Sequence, residues 1–311
     1  MLIAVAFMVS AVTIFHQQTM VVPEVGAVST GLIFFRIDEW RRGPIPFYLV
    51  ICGAAFLGVE ITRYLPLNLI AQIVITLAVI LGAVLFFRVP AYPALSAGLL
   101  PVYLHLISPL YVLAVIIFMG IPILFIVITE RPGLGPSSPI PVNLRSTIII
   151  VGSLGVMVLA VWIVHSPLAV LPPLFVATVE NANAPKGRGV RQLTWTALAI
   201  LGAIELTILL FINLNSNFVV LITLTLALIL VTKREIESPP ILALAIIPIV
   251  FGHATDLRIT YLIVIGVALS QIAPPLVASA TDGLFSLVRP HRVIDDAYDC
   301  AEANFDLDNR A

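Results

Sequence analysis

The stretch from Val89 to Thr129, VPAYPALSAGLLPVYLHLISPLYVLAVIIFMGIPILFIVIT, contains no Asp, Glu, Lys or Arg. A helix needs about 20 apolar residues to cross a hydrocarbon core of about 30 Å. The run therefore predicts two membrane segments in succession, near 90–105 and 107–129. Leu, Ile, Val and Ala follow one another without period-2 alternation, which favours helices over a barrel. Working outward, uncharged runs recur at 1–23, 64–87, 146–179, 206–232, 238–255 and 259–281. The whole chain of 311 residues is 60% hydrophobic and 11% charged, against roughly 45–50% and about 25% in soluble domains. So little charge cannot cover a water-facing surface, which excludes a soluble enzyme, a disordered chain and a disulfide scaffold. A net charge of −1 offers no basic surface for nucleic acid. Cys52, in an apolar run, and Cys300, in a polar tail, make poor bridge partners. The first run lacks the basic start and small-residue cleavage site of a signal peptide, and its pattern recurs later. The fold class expected is all-α, a polytopic helical membrane protein.

An internal duplication organises the segments. His16 and Pro23 fall on His165 and Pro172 at a shift of 149 residues. Glu60 and Thr62 in GVEITRYL fall on Glu205 and Thr207 in GAIELTILL at 145, and Arg88 on Lys233 at the same shift. Pro93 and Pro101 fall on Pro240 and Pro248 at 147, with His105 near His253. These ordered matches define a first membrane repeat over 1–130, a linker over 131–145, a second repeat over 146–280 and an acidic tail over 281–311. The linker region carries the Pro, Gly and Ser expected of a joint. Each repeat holds six apolar segments, near 2–17, 19–35, 46–63, 67–87, 90–105 and 107–129, then near 147–165, 167–180, 192–213, 217–232, 238–253 and 259–280. If all six cross, every basic residue except Arg63 and Arg258 lies on one side. Because Lys and Arg favour cytoplasmic loops, this predicts two parallel repeats with both termini in the cytoplasm, in the cell membrane.

The second and fifth segments of each repeat are short and begin at prolines: Pro23, Pro172 and Pro173 for the second, Pro90, Pro93, Pro239 and Pro240 for the fifth. Proline is tolerated in the first turn of a helix, where its missing N–H costs nothing. These segments read as short or broken helices whose amino ends, partial positive poles, lie at membrane depth. Paired interrupted helices at matching places in two repeats point to a transport site. Tilted packing helices with proline kinks are the plainer explanation.

The second repeat reads VLPPLFVATVENANAPKGRGVRQLTWTALAILGAIELTIL and then VLITLTLALILVTKREIESPPILALAIIPIVFG. This order resembles the integral-membrane HPP family. Its His-Pro-Pro motif is answered by Ser238-Pro239-Pro240-Ile241-Leu242-Ala243, and by Tyr92-Pro93-Ala94-Leu95-Ser96-Ala97 in the first repeat, where VPEVGAVSTGLIFF matches the family's earlier segment. The histidine is missing from both copies, so no role of that imidazole carries over. The resemblance implies a transporter of a small solute, with an inorganic anion such as nitrite as cargo. GRGVRQ, over 187–192, is similar to a stretch of the fusaric-acid-resistance-like aromatic exporters, whose large soluble domain is absent here.

The residues expected to bind solute or couple protons are Glu60, Glu205, Ser29, Thr30, Thr178, Pro93, Pro239 and Pro240. Glu60 and Glu205 are related by the duplication, and a carboxylate at membrane depth should face a cavity or a partner. The alternative puts both near the headgroups, with Arg63 neutralising Glu60 one turn away. Ser29, Thr30 and Thr178 offer hydroxyls to a solute, or return bonds to the preceding helical turn. Glu24 has no copy, since Pro173 stands in its place, and a capping role is expected of it. His16, His105, His165 and His253 are expected near one face, as interfacial anchors more than as a pH sensor. Arg36, Arg41, Arg42, Lys186, Arg188 and Arg191 set topology and draw anions to the inner mouth. GAAFLG (53–58) and ALAILGA (197–203) are expected to pack helices closely. No metal-ligand spacing and no nucleophile with a base are found, so neither an enzyme nor a cofactor is expected. The partners expected are the lipid bilayer and a small solute or anion, with no nucleic acid; a homo-oligomer is compatible with the sequence. A structural or accessory membrane subunit is the competing function.

Overall fold

The computed structural model describes residues 7–8, 10, 22–130, 144–164, 171–183, 190–213, 216–233, 239–251 and 257–288. Among them are twelve helices and no strand. In chain order they are α1 (Glu24–Ile33), α2 (Asp38–Arg42), α3 (Pro44–Tyr64), α4 (Leu69–Phe87), α5 (Pro93–Leu104), α6 (Pro109–Glu130), α7 (Leu144–Val164), α8 (Pro172–Ala182), α9 (Val190–Asn213), α10 (Ser216–Lys233), α11 (Pro240–Phe251) and α12 (Leu257–Val288). Among the described residues, five helices are long and apolar enough to cross a membrane: α3, α4, α6, α7 and the Ile263–Leu284 part of α12. That suits an integral membrane protein. The last helix continues to Val288, past the end expected at 280, so the first part of the expected tail is helical.

Helix boundaries follow from local chemistry. Asn68 caps α4, its Oδ1 accepting from the Ala71 N–H at 2.8 Å. The same helix ends with Arg88 in the left-handed region at φ 54° and the Val89 N–H donating to the Val84 carbonyl at 3.1 Å. Pro90 follows at once, so the chain cannot resume the helix there. His105 closes α5 in the same way at φ 50°.

Two kinds of helix build two layers. The short helices α1, α5, α8 and α11, of 10, 12, 11 and 12 residues, span roughly 15–18 Å at about 1.5 Å per residue. Nearly every described side chain on them is buried. The long helices bury one face and expose Leu49, Phe56, Val79, Phe86, Ile128, Trp162 and Leu276 on the other. In water such a surface would aggregate; against lipid tails it is the expected outside.

Contacts in the two halves match pair by pair. Helix α3 packs on α4, α5 and α6, as α9 packs on α10, α11 and α12. Helix α4 meets α5, as α10 meets α11, and α1 meets α6, as α8 meets α12. The four short helices close a ring, α1 on α5, α5 on α8, α8 on α11 and α11 on α1. Close approach of α3 and α5 rests on two glycines, for a Cβ on Gly58 would overlap the Gly98 carbonyl. Gly53, at the other end of GAAFLG, meets nothing within 4 Å. The expectation of close packing therefore holds for Gly58 and fails for Gly53.

Two prolines inside helices free carbonyls that side chains of neighbouring helices take up. Pro101 has no N–H for the Ala97 carbonyl, and the Tyr111 hydroxyl donates to that oxygen at 2.8 Å. Pro274 likewise releases the Ser270 carbonyl, which accepts from Asn181 Nδ2 at 3.2 Å. The first bond ties α6 to α5, and the second ties α12 to α8.

Candidate functional site: the ring of short helices

The first turns of all four short helices face one small cavity. Glu24, Pro93, Pro173 and Pro240 line it, and Ala27, Ser96, Val176 and Ala243 line it one turn further along each helix. Trp40, Pro239 and Glu180 complete the wall. The space left for the centre of a water-sized molecule is about 10 Å³, close to the least that holds one water.

Glu24 is the chemical centre. Its residue is 1% exposed, its Oε1 accepts a hydrogen bond from the Ser96 hydroxyl, and its Oε2 is buried with no hydrogen-bond partner. The two halves of the chain differ at this point. Where the first half supplies Glu24 and Ser96, the matching positions of the second half are Pro173 and Ala243. At these two positions the first half is polar and the second apolar, and the second half's one charged residue on the wall is Glu180. Trp40 enters it because Gly31 has no side chain; a Cβ there would overlap the indole ring. Trp40 in turn stacks on Phe47, with ring centroids 4.9 Å apart.

The amino ends of these helices are already occupied. Val25 and Gly26 N–H donate to the Val22 and Pro23 carbonyls at 3.1 and 3.2 Å. Ala94 and Leu95 donate to Ala91 and Tyr92 at 2.9 and 3.0 Å, Leu174 to Leu171 at 2.8 Å, and Leu242 to Pro239 at 3.1 Å. With proline at the first positions of α5, α8 and α11, few first-turn amides are left to hold an anion.

Of the residues singled out in the sequence, Pro93, Pro239 and Pro240 lie at the ring. Ser29, Thr30 and Thr178 are buried in α1 and α8 without lining the cavity. Thr30 Oγ1 donates to the Gly26 carbonyl at 2.8 Å and Thr178 Oγ1 to the Leu174 carbonyl at 2.7 Å, both one turn back. The Ser29 hydroxyl is buried with no hydrogen-bond partner. Glu60 and Glu205 are half-buried in α3 and α9, away from the ring. Arg63 pairs with Glu60 at 3.5 Å and also donates to the Ile107 carbonyl. His105 is exposed at the end of α5; His16, His165 and His253, with Lys186 and Arg188, lie outside the described residues. Glu24 and Ser96 were not expected at a site. The available signal was that Glu24 is the only charged residue in the first 35.

Ion pairs sit at helix ends, away from the ring: Arg41 with Glu130, Arg42 with Asp38 at 3.4 Å, and Arg145 with Asp282 at 2.7 Å. A larger cavity of about 560 Å³ lies between α3 and α4, walled almost wholly by apolar side chains such as Leu49, Phe56, Val79 and Phe87. Nothing in that wall could select a polar solute. No family model, curated protein or solved structure matches the chain.

Proposed function

We propose that the chain is a membrane transporter or channel for a small solute, with its pathway at the interface of two parallel repeats. The observation that carries this reading is Glu24, a carboxylate kept from water and set where short helices from both halves of the chain converge. Burying an ionisable group costs stability, which makes a functional role the default reading of Glu24. The matched packing of α3–α6 and α9–α12 supports the duplication. The distribution of Lys and Arg supports cytoplasmic termini.

For the cargo, the resemblance to the HPP family favours an inorganic anion such as nitrite, while the helix amino ends, largely occupied, lend it little support. The lining favours the opposite sign at the ring itself, since it presents Glu24 and Glu180 and, among the described residues, no Lys, Arg or His. Reconstitution of the full chain into proteoliposomes tests the reading. Uptake of nitrite, sodium and ammonium would be followed in the wild type and in Glu24→Gln, Glu60→Gln and Glu205→Gln. The expected result is wild-type flux of at least one solute, with the largest loss in Glu24→Gln. Absence of flux for every solute would favour the accessory-subunit reading.

A further inference from the structure

We propose that Glu24 Oε2 and Ser96 Oγ form a binding site for one small monovalent cation, of the size of sodium or ammonium, inside the ring of short helices. The site deepens the transport reading and rests on it, the cation being either coupling ion or cargo. A carboxylate removed from water needs a counter-charge, or hydrogen bonds to both oxygens. Glu24 lines the cavity and has a hydrogen bond on one oxygen, while the other is buried beside that cavity without a partner. Carboxylate and hydroxyl oxygens are ligands for hard cations.

Size and charge narrow the ligand. Room of about 10 Å³ for a molecular centre admits an occupant the size of one water and excludes an organic solute. Two carboxylates line the cavity, and Glu24 is the one that is fully buried, Glu180 being half-buried, so the charge to be balanced inside is a single one. Among the described residues, no group of three His, Cys, Asp or Glu could hold a multivalent metal. The matching positions in the second half, Pro173 and Ala243, offer no oxygen ligand from a side chain, so the stoichiometry is one cation per chain.

The groups facing Glu24 are few. Helix α5 presents Ser96, α8 presents Glu180, and α2 presents the Trp40 ring. Helix α11 presents only Pro240 and Ala243. Tyr111 of α6 stands near, but its hydroxyl is committed to the Ala97 carbonyl. No basic side chain among the described residues competes for the carboxylate.

Thermal unfolding of the full chain in detergent tests the site, in sodium, potassium, ammonium or choline chloride at constant ionic strength and pH. The wild type should show a saturable rise in Tm of roughly 2–4 °C or more with a small cation. Choline, too large for the cavity, should produce none. Glu24→Gln should abolish the rise, and Ser96→Ala should weaken the apparent affinity roughly tenfold. An equal rise with choline, or an undiminished rise in both variants, overturns the proposal. A Tm that follows pH and no cation overturns it in favour of a proton. A rise with sodium nitrite beyond that with sodium chloride, enlarged in Glu24→Gln, overturns it in favour of an anion. Cation binding without any flux would defeat the transport reading and leave the site standing. Flux that persists in Glu24→Gln, with no cation response in the wild type, would defeat the site alone.

Discussion

Replacing Tyr111 by Phe removes one oxygen and should leave a buried carbonyl without a partner. Tyr111 and Ala97 are both fully buried, and the Tyr111 hydroxyl donates at 2.8 Å to the Ala97 oxygen that Pro101 cannot serve. An unsatisfied buried acceptor costs about 1–3 kcal/mol, or a Tm fall of about 2–4 °C per kcal/mol in a chain of this size. The cause can be isolated by restoring the missing donor. In Pro101→Ala, the new N–H at position 101 reaches the Ala97 carbonyl along the helix, so Tyr111→Phe should then cost little. The double-mutant cycle, read by thermal unfolding in detergent, should give a coupling of about 1–2 kcal/mol. If the two substitutions add to within about 0.5 kcal/mol, the carbonyl released by proline is not what Tyr111 serves, and that explanation of the α5–α6 contact is refuted.

Gly58→Ala forces a methyl onto the Gly98 backbone and should cost about 1–3 kcal/mol from overpacking, less up to about 1 kcal/mol regained in helix propensity. Gly53→Ala in the same helix meets nothing within 4 Å and should be neutral or slightly stabilising; the two Tm values compared side by side check this. Thr207 Oγ1 lies 2.6 Å from the Ala245 carbonyl of the neighbouring helix, so Thr207→Val should lower stability by about 1 kcal/mol in chemical denaturation. Asp282→Asn breaks the paired contacts to Arg145 at 2.7 Å; its Tm deficit should be measurable at low salt and shrink in 1 M NaCl, as screening predicts.

Much of the architecture could be read from composition and period. Uncharged runs locate the long helices α4, α6, α7 and α12, and Pro93, Pro172 and Pro240 mark where short ones begin, because proline suits a first turn and stops whatever precedes it. Side chains that act across the fold were hidden. Tyr111 and Asn181 answer prolines on other helices, Pro101 and Pro274, and nothing near them in sequence announces the pairing. The role of Glu24 is hidden for a related reason. Searching for residues repeated in both halves selects Glu60 and Glu205, whereas the ring is polar only where the halves differ. The two halves share their helix contacts, and the polar side chains of the ring stand where their sequences differ.

Water access to the ring bears most directly on a pathway between the halves. Single cysteines at Ala27 and Ala243, both on the cavity wall, would be placed in a chain lacking Cys52 and Cys300, reconstituted into lipid and exposed to silver ion, a thiol-reactive monovalent cation small enough for that cavity. Cysteines at Leu99 and Val102, buried in α5 away from the cavity wall, serve as comparison. Labelling at positions 27 and 243 from at least one side of the bilayer, slowed by a small cation, with none at 99 and 102, is the result expected. Equal labelling at all four, or none at any, would contradict a solute pathway through the ring.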